Sequence, residues 1–238
     1  MRILITNDDG IESPVLPLLV DRAARLGEVT VVAPRHEQSG KSQTIEFKNA
    51  VEIRRVPLAS AARAYAMDST PADCVRFAVT GLRTTYDLIL SGINCGYNLG
   101  DDIAYSGTVG AVLEGARYGI RGIALSTDPD YLMNSPAHLD ALLAWFEENR
   151  LLEKNDLYNV NIPPKANAFR ITRQGGVFYT DDFITQGPDL YLQIGEPLKR
   201  PYNDLTLDID ATLNGYVSVT PLTASRTALS VFEELKHL

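Results

Sequence analysis

Three stretches of this 238-residue chain carry polar residues that packing alone does not explain. The first is Asn7-Asp8-Asp9-Gly10, which interrupts the apolar run Ile3-Leu4-Ile5. Adjacent carboxylates repel each other unless something positive sits between them. The second, residues 35–42 (RHEQSGKS), offers the hydroxyl of Ser39. The third, residues 91–108 (SGINCGYNLGDDIAYSGT), offers Asn94 and Asn98 and ends at Ser106-Gly107-Thr108. Asp8, Asp9, Ser39 and Asn94 are all oxygen donors, which suits a hard divalent ion such as Mg²⁺ or Mn²⁺ and not zinc. Ser106 sits where it can cap a helix, and the unpaired N–H groups and dipole of a helix start favour an anion. A divalent ion beside an anion-binding helix start is the equipment for a phosphate monoester. Each feature also has a plainer reading. Asp8 and Asp9 could form a capped turn, Asn94 and Asn98 could serve left-handed turns, and Ser106 could be only a cap. Asp101 and Asp102 read as exposed loop acids, and Cys95 as a small filler. His36, His138 and His237 form no metal-spaced pair.

The elements that must position these residues follow an α/β pattern. Residues 2–6 form a strand apolar enough to be buried on both faces. Ser13-Pro14 reads as cap and first-turn proline of a helix over 15–26, ended by Gly27. Residues 28–33 (EVTVVA) make the next strand, which completes a βαβ opening. Alternation over 43–47 and 51–56 predicts two further strands, a hairpin across 48–50, and 65–67 a short strand. Thr70-Pro71-x-Asp73 is a strong helix start, and the helix should run to about Leu82. Residues 87–90, 122–126 and 158–162 predict strands, with helices over 109–118 and 136–150 between them; Trp145 should pack on the sheet from its helix. Residues 158–162 (YNVNI) read as the last core strand. Beyond them, 165–238 predicts a β-rich extension with a hairpin, a short helix over 205–213, a strand over 216–220 and a closing helix over 227–237. The chain therefore reads as an α/β core over 1–164 and an extension over 165–238 within one structural unit. In an open α/β sheet, ligands bind beyond the carboxyl ends of the strands. All three polar stretches fall there.

The totals remove other classes. Net charge is −8, from 22 basic and 30 acidic residues, which excludes broad binding to a nucleic-acid polymer. No apolar run is long enough to span a bilayer, and residues 1–6 are too short for a leader. Two cysteines give no disulfide framework, so a cytoplasmic location is expected.

Five segments together resemble one family. They are NDDG at 7–10, APRHEQSG at 33–40, TPADCV at 70–75, SGINCGYNLGDDIAYSGTVGA at 91–111 and YVSVTPL at 216–222. The chain resembles the SurE family, the stationary-phase survival proteins that act as metal-dependent nucleotide phosphatases. The resemblance implies a Rossmann-like core with a mostly parallel sheet, plus a C-terminal extension and helix exchanged within a homodimer or homotetramer. It implies hydrolysis of nucleoside 5′- or 3′-monophosphates to nucleoside and phosphate. It places one divalent ion per subunit on Asp8, Asp9, Ser39 and Asn94, with Asn98, Ser106, Gly107 and Thr108 around the phosphate. Asp8 or Asp9 would orient or deprotonate the attacking water. Three alternatives remain at this point. A haloacid dehalogenase-type phosphatase needs its acids spaced D-x-D, and here they are adjacent. A non-catalytic metal- and nucleotide-binding signalling module would bind without turnover. A dinucleotide-binding oxidoreductase should show G-x-G-x-x-G after the first strand, which is missing.

Overall fold

Strand β1 (Arg2–Thr6) lies at the centre of the sheet, and Ile3, Leu4 and Ile5 are fully buried. It pairs in parallel with β2 (Glu28–Pro34) on one side and with β5 (Leu88–Cys95) on the other. Outward from β2 come β4 (Arg63–Met67), parallel, and β3 (Ile53–Arg55), an antiparallel edge. Outward from β5 come β6 (Arg121–Thr127) and β7 (Leu157–Ile162), both parallel. Antiparallel β11 (Val217–Leu222) and then β8 (Phe169–Ile171) complete nine strands in the order β3-β4-β2-β1-β5-β6-β7-β11-β8. Six consecutive parallel strands thus follow the doubly wound order, which reverses between β1 and β5. The structure, a computed structural model, describes residues 1–238.

Alternation along the strands builds two cores. Ile3 and Ile5 face α1 (Leu16–Ala23) and α4 (Leu139–Glu148) through Leu19, Val20, Leu142 and Phe146. Leu4, Val32 and Ile89 face α2 (Pro71–Arg76) and α3 (Gly107–Ala116) through Val75, Val109 and Val112. The result is three layers, helices over both faces of the sheet. Short α5 (Leu151–Lys154) leads into β7. Thr70 caps α2, accepting a hydrogen bond from the Asp73 N–H at 3.2 Å, and the helix continues through a π-helical turn at Phe77–Gly81. Trp145 stacks on Phe169 of β8 with ring centroids 5.1 Å apart. No helix is long and apolar enough to cross a membrane.

The structure corrects four expectations. Residues 43–47 and 51–56 do not form a hairpin; of these only Ile53–Arg55 is strand, and it pairs with β4. The backbone of 43–47 is held elsewhere: Thr70 donates to the Thr44 carbonyl at 2.6 Å, and the Glu46 N–H donates to Asp73 at 2.7 Å. Ser13 is not a cap. Helix α1 begins at Leu16 without a side-chain cap, and the Ser13 hydroxyl is buried without a partner. Strand β5 extends through Asn94 to Cys95, so the first residues of the supposed loop belong to the sheet. Finally, β7 is not the last core strand. β11 and β8 extend the same sheet, and what stands apart is the hairpin of β9 (Asp182–Gly187) and β10 (Leu190–Ile194). Helix α6 (Asp208–Leu213) packs against β11 and β7, and α7 (Leu229–Leu235) buries none of its residues.

Candidate active site

Asn7 shapes the turn that ends β1. Its side-chain amide donates to the Gly10 carbonyl at 2.9 Å, and its carbonyl oxygen accepts the Gly10 N–H at 3.0 Å. Gly10 takes φ +98°, a conformation that L side chains rarely adopt, and brings the chain back against Pro34 and His36. This closed turn carries Asp8 and Asp9 past the end of the sheet. The loop after β2 is fastened to it, since the Gln38 N–H donates to the Asp8 carbonyl at 2.8 Å. Ser39 therefore reaches the same place as the acids.

Six of the eight predicted residues meet in one cleft there, of volume about 400 Å³: Asp8, Asp9, Ser39, Asn94, Asn98 and Ser106. The cleft lies where the strand order reverses. Asn94 sits at a bulge in β5, paired with Ser126 of β6. Its side-chain N–H donates to the Gly96 carbonyl at 2.8 Å, which leaves its carbonyl oxygen as the atom that could serve as a ligand. The Cys95 N–H donates to Asp9 at 3.3 Å. Ser106 caps α3, accepting from the Val109 N–H at 3.0 Å.

Gly107 and Thr108 lie behind the cleft and do not line it. Thr108 is fully buried, and its hydroxyl donates to the Asp8 carboxylate at 2.5 Å. A Cβ on Gly107 would come 3.0 Å from that of Asp8. Both residues hold Asp8 in place.

The electrostatics are one-sided. Burial pushes the Asp8 carboxyl above the usual carboxylate range, against the hydrogen bond from Thr108. Burial, and then the charge of Asp8, push Asp9 up to about 6. Glu37 and Asp102 also line the cleft, and no lysine or arginine does. Four acids facing one cleft repel any anion, and a cation among them would offset that repulsion. The donor set fits a hard divalent ion: two carboxylates, a hydroxyl and an amide carbonyl. No cluster of three His, Cys, Asp or Glu side chains suited to a metal occurs, so an ion here would need further protein ligands from neutral oxygens such as those of Ser39 and Asn94.

Sequence reasoning missed several residues of this site. Glu37 accepts the Ser39 hydroxyl at 2.5 Å. Tyr97 and Tyr105 form aromatic walls, and Cys95, expected as a filler, is exposed at the cleft. Asp102 lines the cleft and is half-buried. Asn98 is held from below by β7. Its carbonyl accepts the amides of Asn159 and Asn161 at 2.8 and 2.9 Å, and its N–H donates to Asn161 at 2.9 Å. Its side chain donates to Ser126 at 2.7 Å. Polar residues at alternate positions of YNVNI, within an otherwise apolar strand, were the readable signal.

The family model described as "Survival protein SurE" matches residues 3–181, which contain the whole cleft. The chain belongs to the SurE family. It is 35% identical to the 5′-nucleotidase SurE of Vibrio campbellii, over 96% of this chain and 90% of that one. It is 33% identical to the 5′-nucleotidase SurE of Legionella pneumophila, over 100% of this chain and 97% of that one. The crystal structure of the SurE protein from Aquifex aeolicus superposes with a TM-score of 0.84 at 33% identity, over 100% of this chain and 99% of that one.

Proposed function

We propose that this chain is a metal-dependent nucleotidase that hydrolyses nucleoside 5′-monophosphates, with 3′-monophosphates as a second substrate class, to nucleoside and phosphate. One observation carries the reading: a buried and a half-buried carboxylate, with no basic side chain beside them, face a cleft whose other candidate ligand atoms are neutral oxygens and whose rim is a helix start. The curated relatives named above are 5′-nucleotidases over nearly their whole length, which supports it.

Asp8, Asp9, Ser39 and Asn94 would hold one Mg²⁺ or Mn²⁺. When bound, the ion would draw the phosphate in and offset the negative charge that grows in the transition state. Ser106 and the free N–H groups at the start of α3 would bind the remaining phosphoryl oxygens, and Asn98 would steady them from the β7 side. Thr108 and Gly107 act through Asp8, fixing its position. Thr108 holds one oxygen of Asp8 and the Cys95 N–H one oxygen of Asp9, so each acid keeps one oxygen free, and the less buried Asp9 is our candidate to orient and deprotonate a water. That water forms a new P–O bond opposite the ester oxygen, the P–O ester bond breaks, and the nucleoside leaves with a proton. A positioned base typically contributes about 10²–10⁴-fold.

We further propose that the chain works as a homodimer or homotetramer. Phe183, Tyr191 and Leu192 on the hairpin, and Leu229, Phe232 and Leu235 on α7, are all exposed. Such faces mark association sites. A cytoplasmic location fits the two unpaired cysteines.

The deciding experiment is phosphate release from a panel of nucleoside monophosphates with Mg²⁺, Mn²⁺ or Co²⁺, and with chelator. Activity that needs a divalent ion and falls at least a hundredfold in Asp9→Asn is expected. Unimpaired release in chelator, or binding of nucleotide without any turnover, would overturn the reading.

A further inference from the structure

The segment from Asn98 to Ser106 joins β5 to α3 and brings two of the proposed phosphate contacts to the cleft. It is held from a distance. The Gly100 N–H donates at 3.0 Å to Asp208 Oδ2, a residue 108 positions further along the chain. The other oxygen, Oδ1, accepts the Gly175 N–H at 2.7 Å and the Ile209 N–H at 2.8 Å. Asp208 is fully buried. One carboxylate therefore ties together three pieces of backbone: the cleft segment, the base of the β9–β10 arm and the start of α6.

The fit around this tie is close. Gly100 adopts φ +55°, and a Cβ there would lie 2.1 Å from the Gly176 carbonyl. The Asp101 N–H donates to that same carbonyl at 3.1 Å. Leu99, Phe178 and Ile209 form a small core of their own, with Tyr97 of the cleft packed against it. An apolar side chain at 208 would extend this core without the desolvation cost of a carboxylate. What the carboxylate adds is three backbone anchor points, one of them two residues from Asn98.

We propose that Asp208 is a positioning residue for the phosphate-binding segment and couples the arm to the cleft. The role rests on the nucleotidase reading above, since it assumes that Asn98 and Ser106 meet phosphate. Asp208 touches no substrate. It acts by fixing Gly100, and through Gly100 the placement of Asn98 on one side and Ser106 on the other. The metal-binding residues Asp8, Asp9, Ser39 and Asn94 lie outside the segment it holds.

The test is Asp208→Asn. A single amide oxygen satisfies the two donors on one side, Gly175 and Ile209, and the amide N–H₂ then faces the Gly100 N–H, donor against donor. The cleft segment should be released selectively. The kcat/KM for a nucleoside monophosphate should fall at least tenfold, while the Mn²⁺ concentration for half-maximal activity stays within twofold. Asp210→Asn is the control. Asp210 is buried in the same helix and pairs with Arg200 at 2.6 Å, but has no bond to the cleft segment. It should keep kcat/KM within threefold. If Asp208→Asn also stays within threefold, or if Asp210→Asn falls as far, the positioning role is refuted.

Hydrogen exchange on the wild-type protein gives the same answer where the variant does not fold. With Mg²⁺ and inorganic phosphate, exchange should slow in 98–108 and, together with it, in 173–180 and 208–211. Slowing in 98–108 alone overturns the coupling and leaves the phosphate site standing. No slowing in 98–108 overturns the phosphate site and the Asp208 role with it.

Discussion

Removing the charge of Asp9 should stabilise the metal-free fold while destroying its activity. In the absence of a divalent ion, the Asp9 carboxyl is raised from 3.8 to about 6, first by burial and then by the charge of Asp8. The sign follows from linkage. A carboxyl whose folded value lies above its unfolded value holds more protons in the folded chain between the two, so stability falls as pH rises through that window. Roughly two units at about 1.4 kcal/mol each set an upper limit of about 3 kcal/mol above pH 6. Water in the open cleft trims the effect to about 1–3 kcal/mol. Asp9→Asn keeps the shape and removes the burden. In chelator at pH 8, the variant should melt about 2–12 °C above the wild type, at about 2–4 °C per kcal/mol for a chain of this size. At pH 4.5 the gap should shrink to about a third, and it should close only below the unfolded value of 3.8, where the carboxyl is protonated in both states. Saturating Mn²⁺ should raise the wild-type Tm more than that of the variant. Thermal unfolding followed by circular dichroism between pH 4.5 and 8, with and without Mn²⁺, reads all three quantities. Equal melting at pH 8 in chelator, or a gap that widens towards acid, would show that the acid pair is not the uncompensated centre described here.

Three further variants test how that centre is held. Thr108→Val removes the hydroxyl donated to Asp8 without changing shape; a bond to a charged group contributes about 1.5–3 kcal/mol, and kcat/KM for p-nitrophenyl phosphate should fall at least tenfold with the fold intact by circular dichroism. Asn161→Leu leaves the Asn98 N–H without its acceptor in a fully buried setting, at a cost of about 1–3 kcal/mol in urea unfolding, and should raise KM for nucleotide more than it changes the metal requirement. Gly110→Ala sets a Cβ 2.4 Å from the Ser42 carbonyl, so the loop carrying Ser39 must shift; activity should drop several-fold and need more Mn²⁺ for half-saturation, which a metal titration measures.

The central sheet was legible because its strands are short, apolar and bounded by strong stops. Residues 2–6 and 28–33 came within one residue of β1 and β2, and Thr70 and Ser106 cap helices as their types predict. Errors arose where a tertiary bond overrides a local pattern. Alternation over 43–47 looks like a strand, but the carboxylate of Asp73, the hydroxyl of Thr70 and, through the Gln43 side chain at 2.8 Å, Glu114 take up its polar groups. Ser13-Pro14 looks like a helix start, yet the turn closed by Asn7 and Gly10 spends those residues, with the Ser13 N–H donated to the Gly10 carbonyl at 3.1 Å. The pattern predicts a strand over 216–220, and β11 runs from Val217 to Leu222. Periodicity says nothing of which sheet a strand joins, so its place beside β7 was out of reach.

The site divides along the same line. The candidate ligand residues stand out by type, because so many oxygen donors at strand ends are more than packing requires. Residues that hold those residues do not. Asn159 and Asn161 look like a polar strand, and Asp208 looks like the first-turn acid of a short helix. Their work appears only when the chain brings residue 208 onto residue 100 and β7 under Asn98. Thr108 shows the distinction most sharply. Its hydroxyl beside a helix start fits a phosphate contact, and its neighbour Ser106 does line the cleft. One turn of geometry carries Thr108 behind Asp8, where the same hydroxyl donates to the carboxylate and opposes the burial that raises it. The donors set behind the acid pair would thus hold it in place for the cation we propose, and the repulsion between the two acids is what such an ion would relieve.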